Sequence, residues 1–385
     1  MTRTGLSTAV QALNMPRTVC AAGAISALAD ELAALGVRRP LLVTDKGIQG
    51  AGLVAKLAAA YGDAGTMAVF DGVTENPLFA DVDSGAALYR REECDGVVAL
   101  GGGSVIDTAK FIALLATNAG TVADYAGKPN VPHGAGAPLI VIPTTAGTGS
   151  EASHSSGIHP DAVTASVGMS SRHLVPRAAI LDPVVTVGLP ARLTAATGID
   201  ALSHCIEGYL SDKDQPLGKA IALDGIARVA KALRRAVAEP DNLDARMEMM
   251  LAAFAGGVSI GMGLGPAHAV ALACSDQGFH HGVLSGIGLV ATLDATAAHA
   301  PERIAAVGRA FGLTPANSLA AAVASLMREL GLPASLAELG YVAGDVSSLA
   351  AAAQRSHFNV FAPFKPDSSQ YAAMLEASLA APNIQ

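Results

Sequence analysis

Between residues 17 and 185, short apolar runs ending in Gly, Asp or Pro alternate with longer Ala/Leu-rich stretches. "RPLLVTD" (39–45), "GTMAVFDGV" (65–73), "DGVVALGGGS" (95–104), "APLIVIPTT" (137–145) and "AAILDP" (178–183) read as strands. The stretches 23–36, 50–61, 80–91 and 105–116 carry apolar residues at helical spacing. Such alternation predicts βαβ units and a mostly parallel, doubly wound sheet. Beyond Leu189-Pro190 the pattern changes: "LDGIARVAKALRRAVAE", "RMEMMLAAFAGG", "SLAAAVASLMREL" and "QYAAMLEASLA" all repeat at helical spacing with no strand between them. Pro183, Gly188 and Pro190 cluster at the change. The reading is an α/β domain over 1–188 and an all-α helical domain over 189–385.

Composition narrows the class. The chain has 385 residues, 51% hydrophobic and 15% charged, so it is long enough for two packed domains and too apolar to be disordered. Its net charge is −8 and its Lys and Arg residues are scattered, which argues against a nucleic-acid surface. Cys20, Cys94, Cys205 and Cys274 lie far apart without a CxxC, a pattern that suits a reducing cytoplasm. The first residues lack a signal-like apolar core and no apolar run reaches the roughly 20 residues of a membrane span. A soluble protein with no membrane partner is expected.

Three segments suit a nucleotide. In "DGVVALGGGSVIDTAKFIALLA" a strand runs through Gly101-Gly102-Gly103-Ser104 straight into a helix. Glycines there allow close backbone approach, and the free amides of a helix start favour an anion such as a pyrophosphate. The strict GxGxxG spacing fails, because Ile106 stands where the third glycine belongs. Asp45 ends the strand "LLVTD", where a carboxylate can accept from an adenosine ribose and repel a 2′-phosphate, favouring NAD(H) over NADP(H). "IPTTAGTGSEAS" (142–153) follows another strand with small hydroxyl residues suited to phosphate, ribose or carboxamide groups.

"GIDALSHCIEG" (198–208) places Asp200 and His204 at i and i+4, hence on one helix face, within an otherwise apolar run. A buried carboxylate needs a partner or a metal. Further ligand candidates occur in "GPAHAVALACSDQGFHHGVLSGI" (265–287): His268 in a helix-like run, and His280-His281 before Gly282. Two imidazoles added to the Asp/His pair make an N3O set suited to Fe²⁺ or Zn²⁺. HExxH is absent, which argues against a metalloprotease.

With "GGGSVIDTAK", "IPTTAGTGSEAS", "TAATGIDALSHCIEGYLS" and the H…HG segment in this order, the chain resembles the iron-containing (group III) alcohol dehydrogenases along most of its length. The resemblance implies an N-terminal dinucleotide-binding α/β domain, a C-terminal helical domain and an active site in the cleft between them. It implies a divalent metal, Fe²⁺ before Zn²⁺, held by Asp200, His204, His268 and His281, with His280 the competing ligand at the last position. It also implies that Asp45, Asn76, Gly101, Gly102, Gly103, Ser104, Asp107, Thr144, Thr145 and Thr148 line NAD(H). The implied activity is metal-dependent alcohol oxidation or aldehyde reduction, in a homodimer or larger homo-oligomer.

Departures from the family pattern shape the rest. Leu272 stands where the family usually has a proton-transferring histidine, so the catalytic proton path falls to His280 or His281. "TASVG" (164–168) lacks a lysine common beside the cofactor. After GTGSE the chain reads "ASHSSGIHPD", with His154 and Ser155 as candidate substrate contacts. A small polar aldehyde or alcohol is expected, with any anionic group met by His154, Arg172 or Lys365. Maleylacetate reductases share this superfamily and a polar pocket; dehydroquinate synthase-like lyases share the architecture but fit "GIDALSHCIEG" less well. The non-enzymatic alternative is an inactive cofactor-binding protein, motivated by Leu272 and the missing lysine.

Overall fold

The computed structural model describes residues 12–62, 67–128, 131–314 and 317–380. Its first half contains β1 (Arg17–Cys20), α1 (Leu28–Ala34), β2 (Pro40–Val43), α2 (Lys46–Gly50), α3 (Leu53–Tyr61), β3 (Ala68–Phe70), α4 (Phe79–Arg91), β4 (Gly96–Gly101) and α5 (Gly103–Leu115). β5 (Leu139–Pro143), β6 (Ser155–Ile158), β7 (Val167–Ser170) and β8 (Ala178–Leu181) complete it. Six strands form one sheet in the order β1-β8-β5-β4-β2-β3, every pairing parallel. β6 and β7 form a separate antiparallel hairpin.

The continuous apolar runs follow from burial on both faces. Leu41, Val43, Val97, Ala99, Val141 and Ala179 enter the core under α4 and α5. Their neighbours Leu42, Val98, Leu100, Ile140 and Ile180 enter the core under α1 and α3. The chain leaves β2 toward one edge and β4 toward the other, so the sheet changes direction between them. In doubly wound sheets the carboxyl ends at such a switch point form the ligand-binding crevice. Here those ends are Thr44-Asp45 and Gly101-Gly102-Gly103, drawn together by the Thr44 hydroxyl donating to the Leu100 carbonyl at 2.9 Å.

The second half is helical: α6 (Ala191–Leu210), α7 (Pro216–Ala238), α8 (Leu243–Ile260), α9 (Pro266–Ala273), α10 (His281–His299), α11 (Pro301–Phe311), α12 (Leu319–Glu329), α13 (Leu336–Leu339), α14 (Val346–Arg355) and α15 (Ser368–Leu379). α6 is nearly surrounded, with every residue from Thr194 to Gly208 buried. A Cβ on Gly198 would lie 2.3 Å from Leu233 Cδ1, and one on Gly208 would lie 2.5 Å from Ser259 Cβ. Glycine inside a helix costs about 1 kcal/mol against alanine, and the close crossing of α7 and α8 explains why it stands here.

All five sequence-predicted strands are present. β1 and the hairpin are additional, and the expected helix over 50–61 is split by Gly52, whose φ is 76°. Among the described residues no helix is long and apolar enough to cross a membrane.

Candidate active site

The glycine loop and the threonine segment pack directly on one another. Thr144 donates its amide to the Gly101 carbonyl at 3.0 Å. A Cβ on Gly102 would sit 3.3 Å from Thr145, and one on Gly103 would meet Thr148 at 2.7 Å. Ser104, at the start of α5, donates its hydroxyl to the Glu75 carbonyl at 2.5 Å, which brings Asn76 beside the loop. Asp45 caps α2, its Oδ1 accepting from the Ile48 amide at 2.8 Å. Asp45, Asn76, Gly101–Ser104 and the threonines therefore border the carboxyl end of the sheet. Asp107 lies one turn inside α5, where its Oδ2 accepts from the Gly157 amide of β6 at 2.9 Å.

The threonine segment also reaches the helical half. A Cβ on Gly147 would come within 2.5 Å of Thr197 Cβ on α6, and one on Gly149 within 2.3 Å of the Gly257 nitrogen on α8. One and two turns beyond Thr197 stand Asp200 and His204. Asp200 Oδ1 lies 4.0 Å from His204 Nε2 and 3.8 Å from His281 Nε2. The His204 and His268 rings stack with centroids 4.8 Å apart, and those of His268 and His281 lie 5.5 Å apart. One donor atom from each of Asp200, His204, His268 and His281 lies within 4.8 Å of the others. Asp200, His204 and His268 are buried, whereas the His281 side chain is half exposed and marks the open side.

His280 stays outside this group. Its Nδ1 accepts from the Gly282 amide at 3.1 Å and caps α10, which presents the next residue, His281, to the cluster. Leu272 lies on α9 one turn beyond His268.

Two supporting groups escape the sequence reading. Glu207, one turn beyond His204, accepts from His268 Nδ1 at 2.6 Å and from the Ala267 and His268 amides at 2.7 and 3.2 Å. This carboxylate satisfies the start of α9 and directs the opposite ring nitrogen of His268 inward. Ser285 donates to Asp200 Oδ1 at 3.0 Å from α10. Electrostatics agree with a cation site. Burial opposes the Asp200 charge, yet the rings of His204, His281 and His268 together hold the carboxyl below its usual range. Burial pushes His204 down to about 4, leaving a neutral imidazole at physiological pH. His268 Nε2 is buried without a hydrogen-bond partner. An orphaned ring nitrogen beside a carboxylate and two more imidazoles fits a divalent metal of borderline character.

The hairpin packs against α5. Lys110 is fully buried on α5 and donates to the Ser153 carbonyl and hydroxyl, both at 3.0 Å, and to the Ser155 carbonyl at 2.7 Å. It thereby fixes the segment that carries His154. Ser155 turns its hydroxyl to Ser170 across the hairpin at 2.8 Å. The His154 ring lies 3.5 Å from where a Cβ on Gly261 would stand, at the end of α8. Lys213, which the sequence reading passes over, donates to the Gly261 carbonyl at 3.0 Å and lies 4.3 Å over the Phe361 ring. Arg172 is elsewhere, beside Arg177, which precedes β8. Lys365 is exposed and makes no contact with the cluster.

Comparison with known proteins decides the family. The pattern described as "Iron-containing alcohol dehydrogenase" matches residues 16–183, and "Fe-containing alcohol dehydrogenase family, C-terminal" matches residues 194–379. The chain belongs to the iron-containing alcohol dehydrogenase family. As an iron-containing alcohol dehydrogenase it is an alcohol oxidoreductase, and 4-hydroxybutyrate dehydrogenase of Cupriavidus necator is 40% identical to it over 371 residues, covering 93% of this chain and 96% of that protein. The solved 1,3-propanediol oxidoreductase superposes with a TM-score of 0.91 at 32% identity, over 96% of this chain and 100% of that one. Sulfoacetaldehyde reductase from Bifidobacterium kashiwanohense, solved with NAD+, also has a TM-score of 0.91, at 27% identity over 97% of this chain and 100% of that one. Iron-containing alcohol dehydrogenases bind NAD and a metal, and the Asp/His cluster is consistent with that pairing.

Proposed function

We propose that the protein is a metal-dependent, NAD(H)-linked dehydrogenase interconverting a short ω-hydroxy acid and its semialdehyde, of the 4-hydroxybutyrate class. The observation that carries the substrate class is the pair Lys213 and His154 on either side of Gly261. Among the described residues no carboxylate pairs with Lys213, so its ammonium is free to meet a substrate carboxylate. Burial, then Lys110 and Lys213, hold His154 below the usual histidine range, so it faces that carboxylate as a neutral donor. Phe361, under Lys213, shares the turn His357–Phe361 with Phe358, whose ring stands edge-on to His268 at 5.5 Å. One wall thus runs from the anion-receiving groups to the cluster. The relationship to the Cupriavidus necator enzyme supports the same class.

Asp200, His204, His268 and His281 hold the metal, Fe²⁺ before Zn²⁺, and when bound it supplies Lewis-acid polarisation of the reacting C–O group. When bound, NAD(H) would supply or accept the hydride. Asp45 receives the adenosine ribose and disfavours a 2′-phosphate, the glycine loop takes the pyrophosphate at the start of α5, and Thr144, Thr145 and Thr148 line the nicotinamide half. His280, beside the half-exposed His281, carries the proton to solvent. Four free thiols suit the cytoplasm, and the exposed edge strand β1 suits assembly into a homodimer or larger homo-oligomer.

The test is metal analysis followed by initial rates with 4-hydroxybutyrate and 1-butanol, using NAD and NADP. A kcat/KM for the hydroxy acid at least about tenfold above that for the alcohol is expected, the worth of one charge-assisted hydrogen bond of about 1.5 kcal/mol. The advantage should vanish in Lys213→Met. Equal rates on both substrates would remove the proposed substrate class.

A further inference from the structure

A cavity of about 480 Å³ opens away from the cofactor loops. Its walls are the later turns of α5, residues 135–137 and the turn Arg172–Arg177. Arg177 donates its amide to the Leu139 carbonyl at 2.8 Å and accepts from the Arg17 amide at 3.1 Å, which places the cavity at the amino ends of β5 and β8. The glycine and threonine segments leave the carboxyl ends of the strands. A five-residue strand, about 15 Å long, separates the two ends.

The charge of this cavity is one-sided. Arg172, His173 and Arg177 line it, and His133 stands edge-on to His173 with centroids 5.4 Å apart. Arg172 and Arg177 are exposed, and among the described residues neither guanidinium has a hydrogen-bond or carboxylate partner. Among the described residues no acidic side chain lines the space. Lys110 contributes only its stem, because its ammonium is engaged by Ser153 and Ser155. Burial first, then Arg172, His133 and Arg177, keep His173 below the usual histidine range, which shows how closely the cationic groups converge. A single unpaired surface arginine is ordinary. Two of them beside two imidazoles, around a cavity of metabolite size in a chain of net charge −8, are not a solvated face.

We propose that this cavity binds a small metabolite through a divalent oxyanion, a phosphate monoester gripped by Arg172 and Arg177. The planar fork of guanidinium matches two phosphate oxygens, and the imidazoles supply further donors. The apolar rim of Leu13 and Met15 leaves room for the organic part.

The experiment is calorimetric titration of the metal-loaded, NAD-saturated enzyme with glycerol 3-phosphate and, separately, with inorganic phosphate. NAD saturation closes the cofactor loops to the probe. Saturable binding that weakens at least tenfold in the Arg172→Gln/Arg177→Gln double variant, with kcat/KM for alcohol oxidation unchanged, is the expected result. Tighter binding of the ester assigns the cavity to a phosphorylated metabolite, and equal binding assigns it to the free anion. Three outcomes overturn the proposal: no saturable binding of either probe, binding that the double variant leaves intact, or a double variant that alters only the sedimentation coefficient. The last would make the cavity a contact between copies of this chain.

Discussion

Glu207 Oε2 lies 2.6 Å from His268 Nδ1 while the same carboxylate accepts two amides at the start of α9. The ring therefore has one tautomer available to it, with the proton on the side facing Glu207. Glu207→Gln keeps the size but weakens that restraint. Metal affinity, measured by competition with a chelator, should fall about 10–100-fold, the usual effect of losing an outer hydrogen bond to a ligating histidine. Far-ultraviolet circular dichroism should be unchanged. An unaltered affinity would show that His268 needs no orientation from Glu207.

Asp200→Asn removes the charge that balances a divalent cation without changing the shape of α6. Bound metal, read by elemental analysis, should fall to background and alcohol oxidation should be lost with it. The wild-type melting temperature should drop on chelation, because metal binding favours the folded form. In Asp200→Asn the chelator should have no effect.

His280 has two duties in this reading, and one substitution separates them. Asparagine is a good helix cap, so His280→Asn should leave the melting temperature close to wild type while kcat falls and its pH dependence changes. His280→Ala should in addition lose roughly 0.5–2 kcal/mol of stability. A normal rate and pH profile in His280→Asn would show that His280 is not on the proton path.

Glu151 and Lys110 bear on stability rather than chemistry. Burial raises Glu151 to about 7 and lowers Lys110 to about 8. Between the carboxyl's ordinary value and about 7 the folded form binds more protons than the unfolded form, so stability should fall as pH rises through that window. Between about 8 and the ordinary lysine value the folded form binds fewer, and stability should recover. Glu151→Gln should therefore be more stable than wild type at pH 8, by roughly 1–3 kcal/mol, and equally stable at pH 4. A Glu151→Gln variant no more stable than wild type at pH 8 would rule this out.

The legible parts of this protein are those that local spacing encodes. The buried strands are visible because burial on both faces leaves no polar alternation, and Asp200 with His204 because a helix turns four positions into a face. Glu207 lies in the same quoted stretch, but its partner is 61 positions away and only the docking of α9 on α6 brings them together. His280 and His281 are chemically equal neighbours until the cap of α10 separates them. β1 and the hairpin β6–β7 are short and polar, existing through pairing rather than propensity. Arg172 stands with His154 and Lys365 among the cations expected to meet an anionic substrate. The return of β7 instead carries it toward Arg177.

Gly149 and Gly257 meet backbone to backbone, so closely that a Cβ on Gly257 would stand 2.0 Å from the Gly149 carbonyl oxygen. Such a contact has no side chain to yield and acts as a fixed bearing between the nucleotide half and the helical half. Any relative movement of the two halves is pinned at this bearing and must be taken up by the elements farther from it.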